Sequence, residues 1–373
     1  MKIHLLGDSA VASSKWFGDG FYDGWGDNLE AFFKEDVQVL NYAIGGRSCR
    51  SFLNEGRFED TGFFHKEKAP YGMGPALSQI EKGDYVFIKF MGNDDDTRTS
   101  IYRLHRQVSL GEPDKDGIYP TVLPKPSMKV PLDYKLEGYP ECLYEEGFEG
   151  ERLQQIFKIT KELMEMCGEN YYPYDCGATY KGYFLYYINK IREKGAIPIM
   201  VAQQVRCRFE NGIPTPEPCT RGCFDPRHKY PYEEALKQLS AETGVPLLNM
   251  NERITALYEM LGEVDTTYLH NIKIEGKTDA DSERKENAAK WPFEYDRRKA
   301  EQDYVGVDRV HTNHFGAFVY DAILAEDMYE QQILTDKLLR TPSRQIAMPE
   351  HLLSRKADIA AFFKNVDLFG DKL

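Results

Sequence analysis

A serine hydroxyl becomes a nucleophile at neutral pH when an imidazole takes its proton and a carboxylate fixes the tautomer of that imidazole. The chain carries these three groups at its two ends. Ser9 belongs to Gly7-Asp8-Ser9, directly after the short apolar run 3–6. Asp308-Arg309-Val310-His311-Thr312-Asn313 precedes a helical pattern over 315–329. A carboxylate three positions ahead of a histidine on one tight turn can reach Nδ1 and leave Nε2 pointing outward. Taken singly, each segment also has a plain reading, because Gly, Asp and Ser are ordinary turn residues and a histidine near a helix start often has a structural role.

Acyl transfer also needs donors aimed at the oxyanion that develops on the attacked carbonyl. Two segments offer them. Gly45-Gly46-Arg47 follows the apolar run 37–41, and glycine there lets the backbone approach a ligand closely. Gly92-Asn93-Asp94 follows the run 85–90, where Asn93 carries a side-chain NH₂. The glycines alone could simply turn the chain, and the asparagine could cap a helix.

The elements that must hold these groups show an α/β grammar. Short apolar strands are expected over 3–6, 37–41 and 85–90, with a helix over 25–34. A helix over 181–194 leads into a strand over 196–202, and a helix over 232–243 ends at Gly244 before a strand over 245–249. Such alternation indicates a parallel sheet covered on both faces, and in an open sheet ligands gather outside the carboxyl ends of the strands. Ser9, Gly46 and Asn93 all fall at such ends. The alternation breaks in three long stretches, about 97–180, 207–229 and 266–300, which are expected to be insertions forming lids, binding walls or oligomer contacts. Residues from 334 onward suggest amphipathic helix broken near Pro342 and Pro349, packed on the core or on a partner subunit.

Composition excludes several classes. With 42% hydrophobic and 29% charged residues and no apolar stretch near the ~18 residues of a membrane span, the chain is expected to be a soluble globular protein without membrane insertion. A net charge of −13 with no basic tract opposes nucleic-acid binding. Seven scattered cysteines suit reduced thiols. Gly7-Asp8 follows Met1-Lys2 so closely that no leader fits between them, and a cytoplasmic location is expected. Cys219, Cys223 and His228, with Cys207, lack the paired close cysteines of a zinc site, and Asp94-Asp95-Asp96 is more simply a helix start than a cation site. Neither a Walker motif nor a Gly-x-Gly-x-x-Gly turn occurs, and Gly46-Arg47-Ser48-Cys49-Arg50 misses the nucleophile elbow at its last position. No metal and no organic cofactor is expected.

In order along the chain, Gly7-Asp8-Ser9, Gly46, Gly92-Asn93 and Asp308-x-x-His311 resemble the four blocks of the SGNH, or GDSL, hydrolase superfamily. Within it, Ser9-Ala10-Val11-Ala12-Ser13, Gly24-Trp25-Gly26, Gly45-Gly46-Arg47-Ser48, Glu55-Gly56-Arg57-Phe58 and His311-Thr312-Asn313 with Gly316-Ala317 are most similar to the rhamnogalacturonan acetylesterase group. The resemblance implies a three-layer α/β/α, flavodoxin-like sandwich with a parallel central sheet. Here that would be a hydrolase domain over 1–333 with long insertions, followed by a C-terminal helical extension over 334–373.

It further implies Ser9 as nucleophile, His311 as general base and then acid, Asp308 as its orienting partner, and an oxyanion hole from the Ser9 and Gly46 amides and the Asn93 side chain. The implied activity is hydrolysis of acetyl esters on plant cell-wall oligosaccharides of the pectin, rhamnogalacturonan, xylan or mannan kind. Asp8, Trp16, Arg47, Asp94 and Asn313 are candidates for substrate contact, with bracing of its loop the favoured alternative for Arg47. Tyr171, Tyr172 and Tyr174 are candidate sugar platforms, each with packing as the plainer role. The chain departs from the group at Phe90-Met91-Gly92, where a glycine and then a histidine usually precede the asparagine, so the cleft wall is expected to differ. An esterase or thioesterase for longer acyl chains, or a non-catalytic carbohydrate-binding protein, stands as the alternative. A homo-oligomer through the insertions or the extension is left open.

Overall fold

Strands that alternate with helices and are apolar throughout must bury both faces, and the chain does this with one parallel sheet between two helical layers. In a computed structural model the described residues are 1–13, 23–60, 74–94, 106, 108–124, 178–215, 230–274 and 304–368. The strands are β1 (Lys2–Gly7), β2 (Gln38–Asn41), β3 (Tyr85–Lys89), β4 (Ile197–Val201), β5 (Phe209–Glu210), β6 (Ile213–Pro214), β7 (Leu247–Leu248), β8 (His270–Ile274) and β9 (Tyr304–Thr312). Five of them form the central sheet in the order β2-β1-β3-β4-β7, every pairing parallel. Counted along the chain this is the 2-1-3-4-5 order of doubly wound, flavodoxin-like sheets, with β1 and β3 flanking the switch point where ligands bind.

Alternate strand residues point to opposite faces. Ile3, Leu5, Phe87, Ile199 and Val201 pack on one side with Trp25, α5 (Met250–Thr266) and α6 (His314–Glu330). Leu6, Val86, Ile88 and Met200 pack on the other with α1 (Cys49–Asn54), α3 (Tyr180–Glu193) and α4 (Pro231–Thr243). The short α2 (Ala76–Gln79) leads toward β3. The expected strands and the helices at 181–194, 232–243 and 315–329 are all present, and α4 ends at Gly244 with φ 68°.

The C-terminal extension packs on the core. Helix α6 is buried on almost every side from Phe315 to Met328, which a helix apolar all round requires. The tail joins the same core through Ile346, Met348, Leu352, Ile359 and Phe363, with Ile359 inside α7 (Lys356–Phe362) and Phe363 directly after it. Glu326 fastens the tail by accepting the Lys364 and Asn365 amides at 2.8 Å each.

Three expectations are corrected. The stretch 25–34 is two 3₁₀ turns, Trp25–Asp27 and Leu29–Phe32, rather than one helix. Gly24 and Gly26 disfavour a helix there, and the turns bury Trp25 fully. The start of the 207–229 stretch is a β5–β6 hairpin, whose turn residues Asn211 and Gly212 have φ 54° and 77°. The start of the 266–300 stretch continues α5 into β8, which pairs antiparallel with β9. Helix α5 itself was not anticipated, although Met250, Ile254, Leu257 and Leu261 show its spacing.

Candidate active site

The sheet brings the chain's two ends together at its carboxyl edge. At the end of β1, the main-chain carbonyl of Asp8 accepts the amides of Val11 and Ala12, so the chain turns sharply and presents a partly exposed Ser9. Gly7 is required by close approach, since a Cβ there would lie 2.6 Å from Val11 Cγ2 and 2.9 Å from the Lys89 carbonyl oxygen. Asp308 and His311 lie in β9 itself, between its paired residues Val307 and Thr312 where the ladder is irregular, rather than on the expected tight turn.

The three side chains lie in one hydrogen-bonded row. The Ser9 hydroxyl is 3.0 Å from His311 Nε2, and His311 Nδ1 donates to Asp308 Oδ2 at 2.8 Å. The other carboxylate oxygen of Asp308 accepts the amides of Val310 at 2.8 Å and His311 at 3.1 Å. Burial alone would raise the Asp308 carboxyl. The hydrogen bond from the His311 side chain, its charge and the two amides outweigh burial and hold that carboxyl well below the ordinary carboxylate range. Asp308 is thus a fixed anion, suited to orient an imidazole and stabilise its protonated form.

Gly46 and Asn93 flank the serine at the ends of the neighbouring strands. Gly46 has φ +77°, a left-handed conformation that favours glycine, and a Cβ there would meet the Arg106 guanidinium at 2.9 Å. The Asn93 side-chain amide donates to the Arg47 carbonyl at 3.1 Å, which ties it to the Gly46 loop and leaves its second N–H for a ligand. None of the hydrogen bonds among the described residues uses the backbone N–H of Ser9 or Gly46.

Other candidates are engaged by the protein. Asp8 is 2% exposed, and its Oδ1 accepts from Lys89 Nζ at 2.7 Å and from the Ala10 amide at 3.0 Å. Asp94 accepts the Cys49 amide at 2.9 Å, so it serves the start of α1. Arg47 Nε lies 3.0 and 3.1 Å from the two Glu55 carboxylate oxygens, and its Nη1 donates to the Gly45 carbonyl at 2.9 Å. Asn313 caps α6 by accepting the Gly316 amide at 2.8 Å, and it donates to the Tyr268 carbonyl at 2.7 Å. Trp16, Tyr171, Tyr172, Tyr174, Asp95, Asp96, Cys219, Cys223 and His228 lie outside the described residues. Cys207 is buried, and its amide donates to the Arg309 carbonyl. Among the described residues no group of three or more His, Cys, Asp or Glu side chains is placed to hold a metal, and no helix is long and apolar enough to cross a membrane.

Sequence reasoning passed over two groups beside the site. Gln203, 5% exposed just beyond β4, lies across from Gly92, whose added Cβ would sit 3.7 Å from its Nε2. Its position after a strand end was the available signal. His270 had no such signal, because its contact with the site depends on the β8–β9 pairing.

No family model matches the chain. Over 281 residues it is 26% identical to the probable rhamnogalacturonan acetylesterase YesY of Bacillus subtilis, a match covering 74% of this chain and 82% of that protein. It is 38% identical over 93 residues to a rhamnogalacturonan acetylesterase of Emericella nidulans, covering 25% of this chain and 28% of the relative, so that match spans well under two thirds of the relative's length. Among solved structures, Bacillus subtilis YXIM aligns with 89% of this chain and 57% of its own, at 17% identity and a TM-score of 0.46. The chain is distantly homologous to rhamnogalacturonan acetylesterases, and its parallel sheet between helical layers is a three-layer α/β/α fold consistent with the SGNH/GDSL type. Both sequence relatives are named as acetylesterases.

Proposed function

We propose that the protein is a cytoplasmic carbohydrate O-acetylesterase that removes acetyl groups from plant cell-wall oligosaccharides through an acyl-enzyme on Ser9. The observation that carries this reading is the row Ser9 Oγ, His311 Nε2, His311 Nδ1, Asp308 Oδ2, with links of 3.0 and 2.8 Å. Three further points support it: the distant homology, an Asn93 amide held at the neighbouring strand end, and the odd, scattered cysteines for the compartment.

In this mechanism Ser9 Oγ attacks the acetyl carbonyl carbon while His311 Nε2 takes the hydroxyl proton. The backbone amides of Ser9 and Gly46 and the Asn93 side chain stabilise the oxyanion. Cleavage of the bond to the sugar oxygen follows, and His311 returns the proton to that oxygen. Water, deprotonated by His311, then attacks acetyl-Ser9. Acetate leaves and the proton goes back to Ser9. Asp308 keeps Nδ1 protonated throughout. Asp8, Arg47, Asp94 and Asn313 act as braces, since each is tied to the protein by the hydrogen bonds given above.

The test is a substrate profile. Acetate release from acetylated pectin, xylan and mannan fragments is expected, read by mass loss of the fragments, with p-nitrophenyl ester hydrolysis falling steeply beyond the two-carbon acyl chain. Faster hydrolysis of long-chain esters, with no change in the fragments, would sink the carbohydrate assignment.

A further inference from the structure

His311 is held from behind by a buried chain of polar side chains. His270 is 2% exposed at the start of β8, opposite Thr312 of β9. Its Nδ1 lies 3.2 Å from the main-chain carbonyl oxygen of His311. A carbonyl only accepts, so this nitrogen carries the proton. Nε2 of the same ring is then an acceptor, and the Tyr258 hydroxyl of α5 lies 2.6 Å from it. Tyr258 in turn lies 2.5 Å from the Tyr320 hydroxyl of α6. Only one direction satisfies the chain: Tyr320 donates to Tyr258, Tyr258 to His270, and His270 to the His311 carbonyl.

The ladder explains why a side chain is used here. The β8–β9 register shifts between His270 and Ile272, opposite the stretch of β9 that carries Asp308 and His311, where regular pairing is interrupted. Side chains reach both main-chain polar groups of His311, Asp308 Oδ1 its N–H at 3.1 Å and His270 its carbonyl. Both tyrosines are buried, so the chain is anchored in the core between two helices.

We propose that His270, kept as its Nδ1–H tautomer by Tyr258 and Tyr320, is a positioning residue that holds the His311 backbone so that its imidazole stays between Asp308 and Ser9. The proposal rests on the serine-hydrolase reading of the site. Burial supports it, because desolvation pushes the His270 imidazole down to about 4 and keeps it neutral while His311 takes up and returns protons.

Two isosteres separate the nitrogens of the ring. In His270→Asn the amide N–H falls where Nδ1 was and can still donate to the His311 carbonyl, whereas in His270→Gln it falls near Nε2. With kcat normalised to the sites titrated by a serine-directed phosphonate, His270→Asn is expected to keep kcat near wild type. His270→Gln should lower it about ten- to a hundredfold with KM little changed. Equal kcat in the two variants would overturn the proposal, whereas a role in stability alone would lower the melting temperature and spare kcat. Should His270→Gln not fold, ¹⁵N spectra of the wild-type protein decide, because His270 must show a protonated Nδ1 and an unprotonated Nε2, and the opposite tautomer refutes the idea. A wild-type protein that releases no acetate and takes no phosphonate would instead refute the hydrolase reading, leaving the tautomer result to stand separately.

Discussion

At the scale of single residues, the site separates groups that would react from groups that hold them. Ser9 and His311 are partly exposed, while Asp308 is buried beneath them and anchored by two backbone amides. An Asp308→Asn variant keeps the shape but offers an NH₂ to Nδ1, which favours the wrong tautomer of His311. Its kcat on an aryl acetate is expected to fall about a thousand- to ten-thousandfold with the thermal midpoint little changed. Steady-state kinetics and a melting curve check this, and a drop of less than tenfold would remove Asp308 from the mechanism. These residues were legible because their chemistry is local. Gly7-Asp8-Ser9 stands where β1 gives way to a turn, and the spacing of Asp308-x-x-His311 brings Asp308 to Nδ1. The structure does the latter in an irregular part of strand β9 and not on the tight turn expected. His270 was not legible, because nothing near it in sequence places it beside His311.

At the scale of elements, the carboxyl ends of β1 and β3 are joined by a buried ion pair. Gly7 of β1 stands in register with Lys89 of β3, whose ammonium lies 2.7 Å from Asp8 with both side chains almost wholly buried. Desolvation pushes the Lys89 ammonium below its ordinary range, opposed chiefly by the Asp8 charge and hydrogen bond and less by the Asp94 charge. A Lys89→Met variant would leave a carboxylate buried without its cation, and breaking such a pair costs about 3–5 kcal/mol. Urea unfolding of this variant should show that loss, and Asp8→Asn combined with Lys89→Met should recover part of it. No recovery would mean that the pair is not the source. Most central strands and helices were readable from the apolar runs and the helical spacing. The 25–34 stretch failed because a helical reading neglected two glycines. The hairpin at Asn211-Gly212 was missed although that dipeptide is a strong turn signal. Strand β8 was missed because its partner β9 begins some thirty residues beyond its end.

At the scale of the whole molecule, buried titratable groups link stability to pH in opposing directions. His270 has a native value of about 4 against 6.5 for the ordinary imidazole, so the unfolded chain binds the extra proton between these limits. Its contribution is fully present above about pH 6.5 and is lost as pH falls toward 4, with a slope of up to about 1.4 kcal/mol per pH unit. His4, also lowered mainly by burial, acts in the same sense. Asp321 and Glu233 are raised by burial and act oppositely, their contributions being lost as pH rises above the ordinary carboxylate range. The total slope is therefore a balance, and the informative quantity is a difference. Between pH 4.5 and 6.5 the denaturation free energy of His270→Asn should rise with pH by less than that of wild type, the slopes differing by up to about one proton. Coincident slopes would contradict a buried neutral His270.

The same scale holds the central claim, because Ser9 and His311 stand 302 residues apart and meet only in the folded molecule. The most direct measurement is peptide mapping after treating the folded protein with a serine-directed phosphonate. The mass increment is expected on the peptide containing Ser9, in step with loss of aryl acetate hydrolysis, and it should be absent in Ser9→Ala, which keeps its melting curve but releases no acetate. Full acetate release by Ser9→Ala, or inactivation with the label on another peptide, would contradict the account.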